Sequence, residues 1–450
     1  MKKHVKLMAV LSVAGFMAAA APGLAAPGTA FAPLAASSGW VEENGSWKYY
    51  EDGDYYLTDT WKKRGDNWYY LNEDGVVATN MQIDEYYVDE TGKRVSSQWV
   101  SVENEEYWDS PDAAEIHWYY YGANGKYISS KFQDIDGQRY YFNDEGHMVT
   151  GRYSIDGSTY YFGDENDGAM KKGWVLLASE DEEMDMESYW HYFEPSGKMV
   201  ENQVDKKIAG FYYTFEDGMM QTGWYKLPEE TTATASDAAA NESLDSASGY
   251  QYYDPESGKR ASGWKTIEGI EGLSEEGELY TFYFKNGKPY YGEDGLKLFT
   301  IDSKKYAFNA KGEMQTGLKE LEVSEGTTAV YYFGTDGIMK TGRQVIYDED
   351  LGENKNWYFH TDGSKKGQGY HGIRENILYI RGMRQEADPD LKVEPKELDG
   401  VSYLINTSGH IQKASTSSKS ASRPELGAGY KDYQDYNDTV WVVDTKGRIQ

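Results

Sequence analysis

One phrase recurs along this chain and constrains its fold more than any other feature: adjacent aromatic residues followed, within a few positions, by an acidic residue and glycine. The first two copies are in register, since Trp40 and Trp61 are 21 residues apart, and so are Trp47 and Trp68. Later copies end at a glycine, namely Gly146, Gly168, Gly218, Gly337, Gly363 and, more weakly, Gly409 and Gly447. A chain of 450 residues ordinarily holds about three domains, whereas this periodicity predicts one small unit used many times.

Each unit has the composition of a β-hairpin. Consecutive aromatic residues favour an extended strand with both faces covered, and the acidic residue with glycine favours a turn that needs positive φ. A short strand carrying Met or an aliphatic residue then runs back to the next Gly-Trp pair. Because a lone hairpin is only marginally stable, the hairpins are expected to stack, with the Met residues filling gaps between them. The predicted fold is all-β: a solenoid of stacked aromatic β-hairpin repeats with variable loop insertions.

Acidic or Ser/Ala-rich insertions interrupt the repeat at one recurring place, after a Gly-Trp-like strand and before the next aromatic strand. We expect these segments to be solvated loops that project from corresponding corners and act as spacers. They are residues 102–116, 178–188, 227–249, 267–278 and 319–328.

Three regions are predicted. Residues 1–36 form a signal peptide, because Lys2, Lys3 and Lys6 precede an apolar run and small residues. Residues 39–370 hold the β-hairpin repeats with acidic insertions, and residues 371–450 hold degenerate repeats with a flexible segment at 413–429. No second apolar stretch is long enough to span a bilayer, so no membrane span is expected after signal cleavage.

Composition excludes several partners. The chain has no Cys, so packing rather than disulfide bonds must hold it together. Its formal charge of −30 falls to −33 when the three lysines of the signal are removed. Nucleic acid and anionic lipid would both be repelled, so neither is expected as a partner.

Two groups of residues carry a resemblance to a known family. The phrases around Trp40–Trp47 and Trp61–Trp68 look like the cell-wall-binding repeats of choline-binding proteins, Gram-positive surface modules that dock on choline-bearing teichoic acids. The Ile-Asp-Gly units at 134–151 and 154–173 look more like the related repeats of clostridial toxins and glucan-binding glucosyltransferases. The resemblance covers most of 39–370 and, more weakly, 371–450.

The resemblance implies where a ligand would bind. In that family a quaternary ammonium lies in a cage of aromatic rings, two from one repeat and a third from the next, and is held by cation–π attraction. The matching residues form the pairs Trp40 with Trp47, Trp61 with Trp68 and Trp174 with Trp190, and the single residues Trp224 and Trp264. A long loop separates Trp99 from Trp118, and the units at 134–173 lack both Trp. Each aromatic ring can equally be a packing group of the stack.

The sequence carries no catalytic signature. The seven His residues are scattered, no Cys is present as a nucleophile, and no serine-hydrolase elbow or phosphate loop occurs. The acidic runs at 164–167 and 348–350 lack the spacing of a calcium loop, so we interpret them as solvated turns. No catalytic residue, metal ligand or cofactor is therefore predicted, and the repeats leave no room for a separate catalytic domain.

Three functions are consistent with these residues. The first is a non-catalytic, secreted cell-surface protein that recognises choline or teichoic-acid components of the Gram-positive cell wall. The second is a glycan- or glucan-binding adhesin, in which the rings stack on sugars of the cell wall or another polymer. The third is a structural spacer of the envelope. No Leu-Pro-x-Thr-Gly motif is present, so attachment at the cell wall or surface is expected to be non-covalent.

Overall fold

The structure is a computed structural model that describes residues 38–104, 107, 114–179, 187–228, 246–293, 295–349 and 351–450. Regular structure within these residues is β-strand, apart from 3₁₀ geometry at Tyr107 and a turn of 3₁₀ helix at Pro424–Leu426. The strands form many small antiparallel sheets in chain order. The all-β prediction and the predicted hairpins are confirmed. The predicted signal peptide at 1–36 lies outside the described residues, among which no helix is long and apolar enough to cross a membrane.

The chain divides into two compact units, one of Met1–Ile155 with Tyr161–Met170 and one of Asp156–Tyr160 with Lys171–Gln450. The strands of the first unit are β1 (Gly39–Glu43), β2 (Ser46–Asp52), β3 (Tyr55–Tyr56), β4 (Thr60–Arg64), β5 (Asn67–Leu71), β6 (Met81–Ile83), β7 (Tyr86–Val88), β8 (Gln98–Glu103), β9 (Ile116–Tyr121), β10 (Lys131–Ile135), β11 (Gln138–Phe142) and β12 (Arg152–Ile155). Strand β13 is Ser158–Tyr161.

The strands of the second unit are β14 (Gly173–Ala178), β15 (Ser188–Phe193), β16 (Gln203–Ile208), β17 (Phe211–Glu216), β18 (Met219–Met220), β19 (Gly223–Lys226), β20 (Tyr250–Tyr253), β21 (Gly263–Glu268), β22 (Leu279–Lys285), β23 (Lys288–Pro289), β24 (Lys297–Ile301), β25 (Lys304–Phe308), β26 (Gly317–Ser324), β27 (Thr327–Phe333), β28 (Gly342–Asp348), β29 (Glu353–Phe359), β30 (Gly372–Arg374), β31 (Ile377–Ile380), β32 (Met383–Arg384), β33 (Val393–Leu398), β34 (Val401–Asn406), β35 (Lys431–Gln434) and β36 (Val440–Val443).

The strand pairing differs from the prediction in one respect. The sequence indicates a hairpin closed by the Asp-Gly turn that follows each aromatic strand, but the aromatic strand pairs mainly with the Gly-Trp strand before it. Strands β4 and β5 pair over five residues, whereas across the later turn only Leu71 bridges Val77. The turn is tight, because the Gly75 amide donates to the Asn72 carbonyl at 2.9 Å. The residues after it pair with the aromatic strand only at this one bridge.

The aromatic strand is two-faced because successive side chains on a strand point to opposite sides. On β9 and β8, Trp99 lies opposite Tyr120 with ring centroids 5.2 Å apart. The same tryptophan also contacts the next hairpin. The ring centroids of Tyr140 and Phe142, on the opposite face of the aromatic strand β11, lie 5.0 and 5.7 Å from that of Trp99. Two adjacent aromatic residues are therefore needed on this strand. One ring packs against the other strand of its own hairpin, and the neighbouring ring packs against the preceding hairpin.

The last aromatic or aliphatic residue of this strand forms the core. It is almost fully buried and lies opposite the residue that opens the hairpin, as Phe193 lies opposite Gly173 and Phe333 opposite Gly317. The equivalent buried residues are Leu71, Val88, Tyr121, Phe142, Tyr253, Phe284, Phe308 and Phe359. The core is thus a row of small clusters, one for each hairpin, rather than a single large interior.

A backbone hydrogen bond joins each hairpin to the one before it. The second residue after the turn glycine, called the post-turn residue below, donates its amide to a carbonyl of the preceding aromatic strand. Met148 donates to Trp118 and Met314 to Thr281, both at 2.8 Å. The same bond recurs from Val77 to Trp47, Arg94 to Trp68, Arg260 to Tyr212 and Met339 to Lys305. Consecutive hairpins within a unit are therefore bonded through the main chain as well as packed.

The side chain of this post-turn residue packs against the turn glycine of the next hairpin. At Gly337, where φ is +70°, an added Cβ would overlap the sulfur of Met314, and at Gly168 it would overlap Met148. Equivalent contacts join Tyr56 to Gly75, Val77 to Gly92, Arg94 to Gly125, Tyr127 to Gly146, Met199 to Gly218 and Met339 to Gly367. The turn glycine is required both for its φ and for this close approach. The Met residues fill gaps between hairpins, as the sequence predicts.

Four of the predicted insertions lie between the two strands of one hairpin: 102–116, 178–188, 227–249 and 267–278. Segment 319–328 is different and corrects the expectation of a loop. It forms the ends of β26 and β27, which stay paired as far as Ser324 and Thr327. Its alternation of Glu320, Leu321 and Glu322 is typical of a strand with one buried face.

Residues 371–450 contain further hairpins. Strands β30 to β32 join β28 and β29 in a five-stranded sheet, and β33–β34 and β35–β36 form separate hairpins. The glycine contact also recurs there, from Arg384 to Gly409 and from Ile411 to Gly447. Segment 413–429 holds the 3₁₀ turn and a bridge from Lys419 to Ala428, and its flexibility stays a prediction.

The glycine contact can be tested with matched substitutions. Gly337→Ala and Gly326→Ala both place alanine at positive φ, +70° and +66°, but nothing lies within 4 Å of an added Cβ at Gly326. We expect Gly326→Ala to cost about 1 kcal/mol from φ alone, and Gly337→Ala to cost about 3 kcal/mol because Met314 must also move. Urea unfolding followed by circular dichroism measures the difference, and equal losses would contradict the packing role.

Candidate functional site

Six tryptophans that follow a Gly, Thr or Gln at the start of a hairpin occupy equivalent positions. Each lies opposite an aromatic residue of its own hairpin and within 4.7–5.7 Å of a ring from the next hairpin. These contacts join Trp40 to Tyr69, Trp61 to Tyr86, Trp99 to Tyr140, Trp174 to Tyr213, Trp224 to Phe282 and Trp264 to Tyr306. The tryptophan and the ring from the next hairpin form two walls of a recurring site.

The third wall is the residue two positions before the cross-strand partner of that tryptophan. In the β8–β9 hairpin it is Trp118, whose ring centroid lies 6.5 Å from Trp99 at 82°. The six resulting sites, called cages below, are the first (Trp40, Trp47, Tyr69), the second (Trp61, Trp68, Tyr86), the third (Trp99, Trp118, Tyr140), the fourth (Trp174, Trp190, Tyr213), the fifth (Trp224, Tyr250, Phe282) and the sixth (Trp264, Thr281, Tyr306).

All eight tryptophans predicted to bind ligand fall on these positions. The structure adds Trp99, Trp118 and Tyr250. Sequence reasoning did not predict them as ligand-binding residues, because insertions separate Trp99 from Trp118 and Trp224 from Tyr250. Both insertions lie within a hairpin, so a long loop leaves the pairing of its strands unchanged. The sixth cage has Thr281 in place of a third ring, so Trp264 belongs to an incomplete site.

The walls differ in exposure. Trp174 is partly buried against the cluster of Val200, Ile208 and Phe215, whereas the side of the cage made by Trp190 is open, with 42% of that residue exposed. Trp68 of the second cage is 38% exposed. In the fourth cage the first wall, Trp174, therefore supports the fold, while the third wall, Trp190, presents a ring face to solvent.

Two cages contain a cation from the chain itself. The guanidinium of Arg64 lies 3.6 Å from the ring centroid of Trp47 and 5.9 Å from that of Trp40. The guanidinium of Arg94 lies 5.0 Å from Tyr86, 5.7 Å from Trp68 and 5.9 Å from Trp61. Among the described residues, no lysine or arginine lies over a ring of the third, fourth, fifth or sixth cage.

The fifth cage opens into a cavity of about 680 Å³ bounded by the 267–278 insertion. The indole Nε1 of Trp224 donates to the Glu268 carbonyl at 3.0 Å, which fixes the start of that loop against the cage. Glu268 and Glu271 bring carboxylates to the cavity, and Lys226 brings an amine. The site can therefore hold a cation or a larger polar group beside the rings.

Three of the tyrosines that form walls, Tyr140, Tyr213 and Tyr306, have a raised pKa and stay neutral at physiological pH. Burial, with a smaller effect from nearby carboxylates, raises the pKa of Tyr140 and Tyr306 above its ordinary value of 10.0. Burial also raises the pKa of Tyr213. Neutral phenol rings keep a negative face toward a cation. Among the described residues, no group of three or more His, Asp or Glu residues is arranged to hold a metal ion.

Two family models match the chain. Residues 129–174 match the choline-binding repeat, and residues 59–77 match the putative cell wall binding repeat. These segments include Trp61, Trp68, Tyr69, Tyr140 and Trp174 from the walls described above. The resemblance predicted from the sequence is therefore confirmed, and these two segments of the chain match cell-wall-binding and choline-binding repeats.

Known proteins resemble parts of the chain. Glucosyltransferase-S from Streptococcus mutans is 28% identical over 237 residues, which cover 50% of this chain and 14% of that protein. This match fits the predicted relation to repeats of glucan-binding glucosyltransferases. The structure of CbpJ from Streptococcus pneumoniae is 20% identical, with a TM-score of 0.40 over 74% of this chain and 99% of that one. The modular autolysin LytC from the same species, solved with a synthetic peptidoglycan ligand, is 20% identical, with a TM-score of 0.38 over 64% and 56% of the two chains.

The different roles of the walls predict different mutant phenotypes. Trp174→Ala removes a ring that contacts Tyr192, Tyr213 and Phe215, so we expect a loss of about 3 kcal/mol of unfolding free energy. Trp190→Ala removes the ring of a residue that is 42% exposed, so it should cost less, about 2 kcal/mol. Thermal unfolding of both variants measures this order, and a larger loss for Trp190→Ala would contradict it.

Proposed function

We propose that this chain binds the Gram-positive cell wall by taking up choline groups of teichoic acid in its aromatic cages. The observation that carries the proposal is the repeated arrangement of three rings, two from one hairpin and one from the next, on segments that include the matched choline-binding repeats. A quaternary ammonium has no hydrogen to donate, so ring faces are the surface that can hold it, at about 0.5–2 kcal/mol for each favourable ring. The third, fourth and fifth cages present three rings without a cation of the chain.

Charge supports a cationic ligand. The chain has 75 acidic and 45 basic residues, and the carboxylates of Glu268 and Glu271 line the cavity at the fifth cage. Such a surface attracts choline groups and repels the phosphates of nucleic acid. Several weak sites on one chain also gain avidity on a polymer that repeats its ligand.

The remaining features of the proposal follow from the same repeats. The hairpins stack as a solenoid within each unit, supported by the recurring backbone bonds and glycine contacts. The protein is secreted through its signal peptide, held non-covalently at the cell wall or surface, and binds without catalysing a reaction. The small antiparallel sheets formed by β1 to β36 leave little of the described chain for a separate catalytic domain, which supports this last point.

A glucan is the second candidate ligand, and the match to Glucosyltransferase-S favours it. Flat Trp and Tyr faces also stack on sugar rings, and the open cavity of about 680 Å³ at the fifth cage is large enough for a sugar. A purely structural spacer would bind neither ligand.

Choline titration followed by tryptophan fluorescence tests the proposal. We expect saturable binding, weakened by about 2- to 30-fold at the affected cage in Trp118→Ala or Trp190→Ala, because each loses one ring. Thr281→Ala is the matched control, since it changes the same repeat position in a cage that has no ring there.

Dimethylbutanol, the uncharged carbon isostere of choline, separates cation–π binding from simple burial of methyl groups. We expect it to bind more weakly than choline. Binding of an isomalto-oligosaccharide without any choline response would replace teichoic acid with glucan as the ligand, and no response to either would leave the spacer function.

A further inference from the structure

The two arginines in the first and second cages stand where most other repeats of this chain carry apolar residues. Arg64 ends the first strand of its hairpin, three residues after Trp61. The first hairpin has Glu43 at this end of the strand, whereas seven later hairpins have a buried aliphatic residue there. These residues are Ile83, Ile135, Leu177, Ile208, Ile301, Leu321 and Ile346. Arg94 occupies the post-turn position held in other repeats by Met148, Met199, Met314 and Met339. Arg260 holds the same position in a further repeat, but there the guanidinium pairs with Asp205 at 2.6 Å. A charge therefore replaces a packing group at both sites.

Both side chains are held in the cages rather than by ion pairs. Among the described residues, neither Arg64 nor Arg94 has a carboxylate oxygen within 4.0 Å, although acidic residues greatly outnumber basic ones. The Arg94 side chain is fixed on its other side by the next hairpin, since a Cβ at Gly125 would lie 2.7 Å from its Nε. Because a guanidinium is planar and weakly hydrated, it stacks on aromatic faces.

We propose that Arg64 and Arg94 are internal ligands of the first and second cages and exclude choline from them. This inference rests on the proposed choline-binding function. Each arginine covers the ring faces that a quaternary ammonium would need, and a second cation at the same rings would be repelled by the first. Choline binding is thereby confined to the third, fourth and fifth cages, and the first two cages join their hairpins instead of binding the wall.

The substitutions Arg64→Ile and Arg94→Met give these positions the residue types that the chain uses in its other repeats, so packing is preserved while the charge is removed. Arg139→Met is the matched control in the same unit, because its guanidinium also covers a ring, 4.9 Å from Phe132, but outside the cages. Fluorine NMR on protein labelled with fluorotryptophan reports each of the 13 tryptophans separately.

Without ligand, we expect Arg64→Ile to shift the signal of Trp47 and Arg94→Met to shift that of Trp68, while Arg139→Met shifts neither. With choline, Trp118 and Trp190 should respond in the wild type, and Trp47 and Trp68 should respond only in the double variant. The choline affinity of the first two cages should rise by about 2- to 30-fold, which is the range of the cation–π contact removed.

Two results would overturn the inference while leaving choline binding intact. The first is a response of Trp47 and Trp68 in the wild type at the same choline concentration as Trp118. The second is the absence of a response from them in the folded double variant. Failure of the proposed function is distinguishable, because Trp118 and Trp190 would then not respond in any variant. The ligand-free shifts of Trp47 and Trp68 would still report whether the arginines occupy the cages.

Discussion

The contact between a post-turn side chain and the turn glycine of the next hairpin is the constraint on which the rest of the structure depends. It occurs together with a main-chain hydrogen bond to the preceding aromatic strand, as at Met148 with Trp118 and Gly168. These two interactions set the spacing and orientation of consecutive hairpins. Every ring contact between neighbouring hairpins, including the walls of the cages, follows from that spacing.

Core and binding site use the same side chains. Tyr140 packs on Trp99 to join two hairpins and is at the same time one wall of the third cage. One strand can serve both purposes because it presents alternate residues to opposite faces. It also means that repeats can lose ligand binding without losing their fold: Thr281 opens the sixth cage, and Arg64 and Arg94 occupy the first two.

Much of this organisation can be predicted from the sequence. Adjacent aromatic residues with Asp-Gly turns indicate the all-β hairpins, and the Trp40–Trp47 spacing indicates the cage positions. The strand pairing could not be predicted correctly, because two segments of the β4–β5 repeat contain Asp and Gly and can form turns. These are the turn at Asn72–Gly75 and the hairpin tip between Arg64 and Asn67. Trp118 and Tyr250 could not be assigned to cages, because an insertion precedes each of them. Only the pairing of the flanking strands shows that these insertions lie within a hairpin. The cage contacts of Arg64 and Arg94 join successive hairpins, and a local sequence pattern does not predict contacts between hairpins.

The central claim is that a quaternary ammonium binds between three rings in the cages that lack an arginine. A crystal structure of the chain soaked in choline tests it most directly. The account predicts ligand density among Trp99, Trp118 and Tyr140 and among Trp174, Trp190 and Tyr213, with the guanidinium groups still in place over Trp47 and Trp68. Empty third and fourth cages at saturating choline, or choline in place of the arginines, would contradict it.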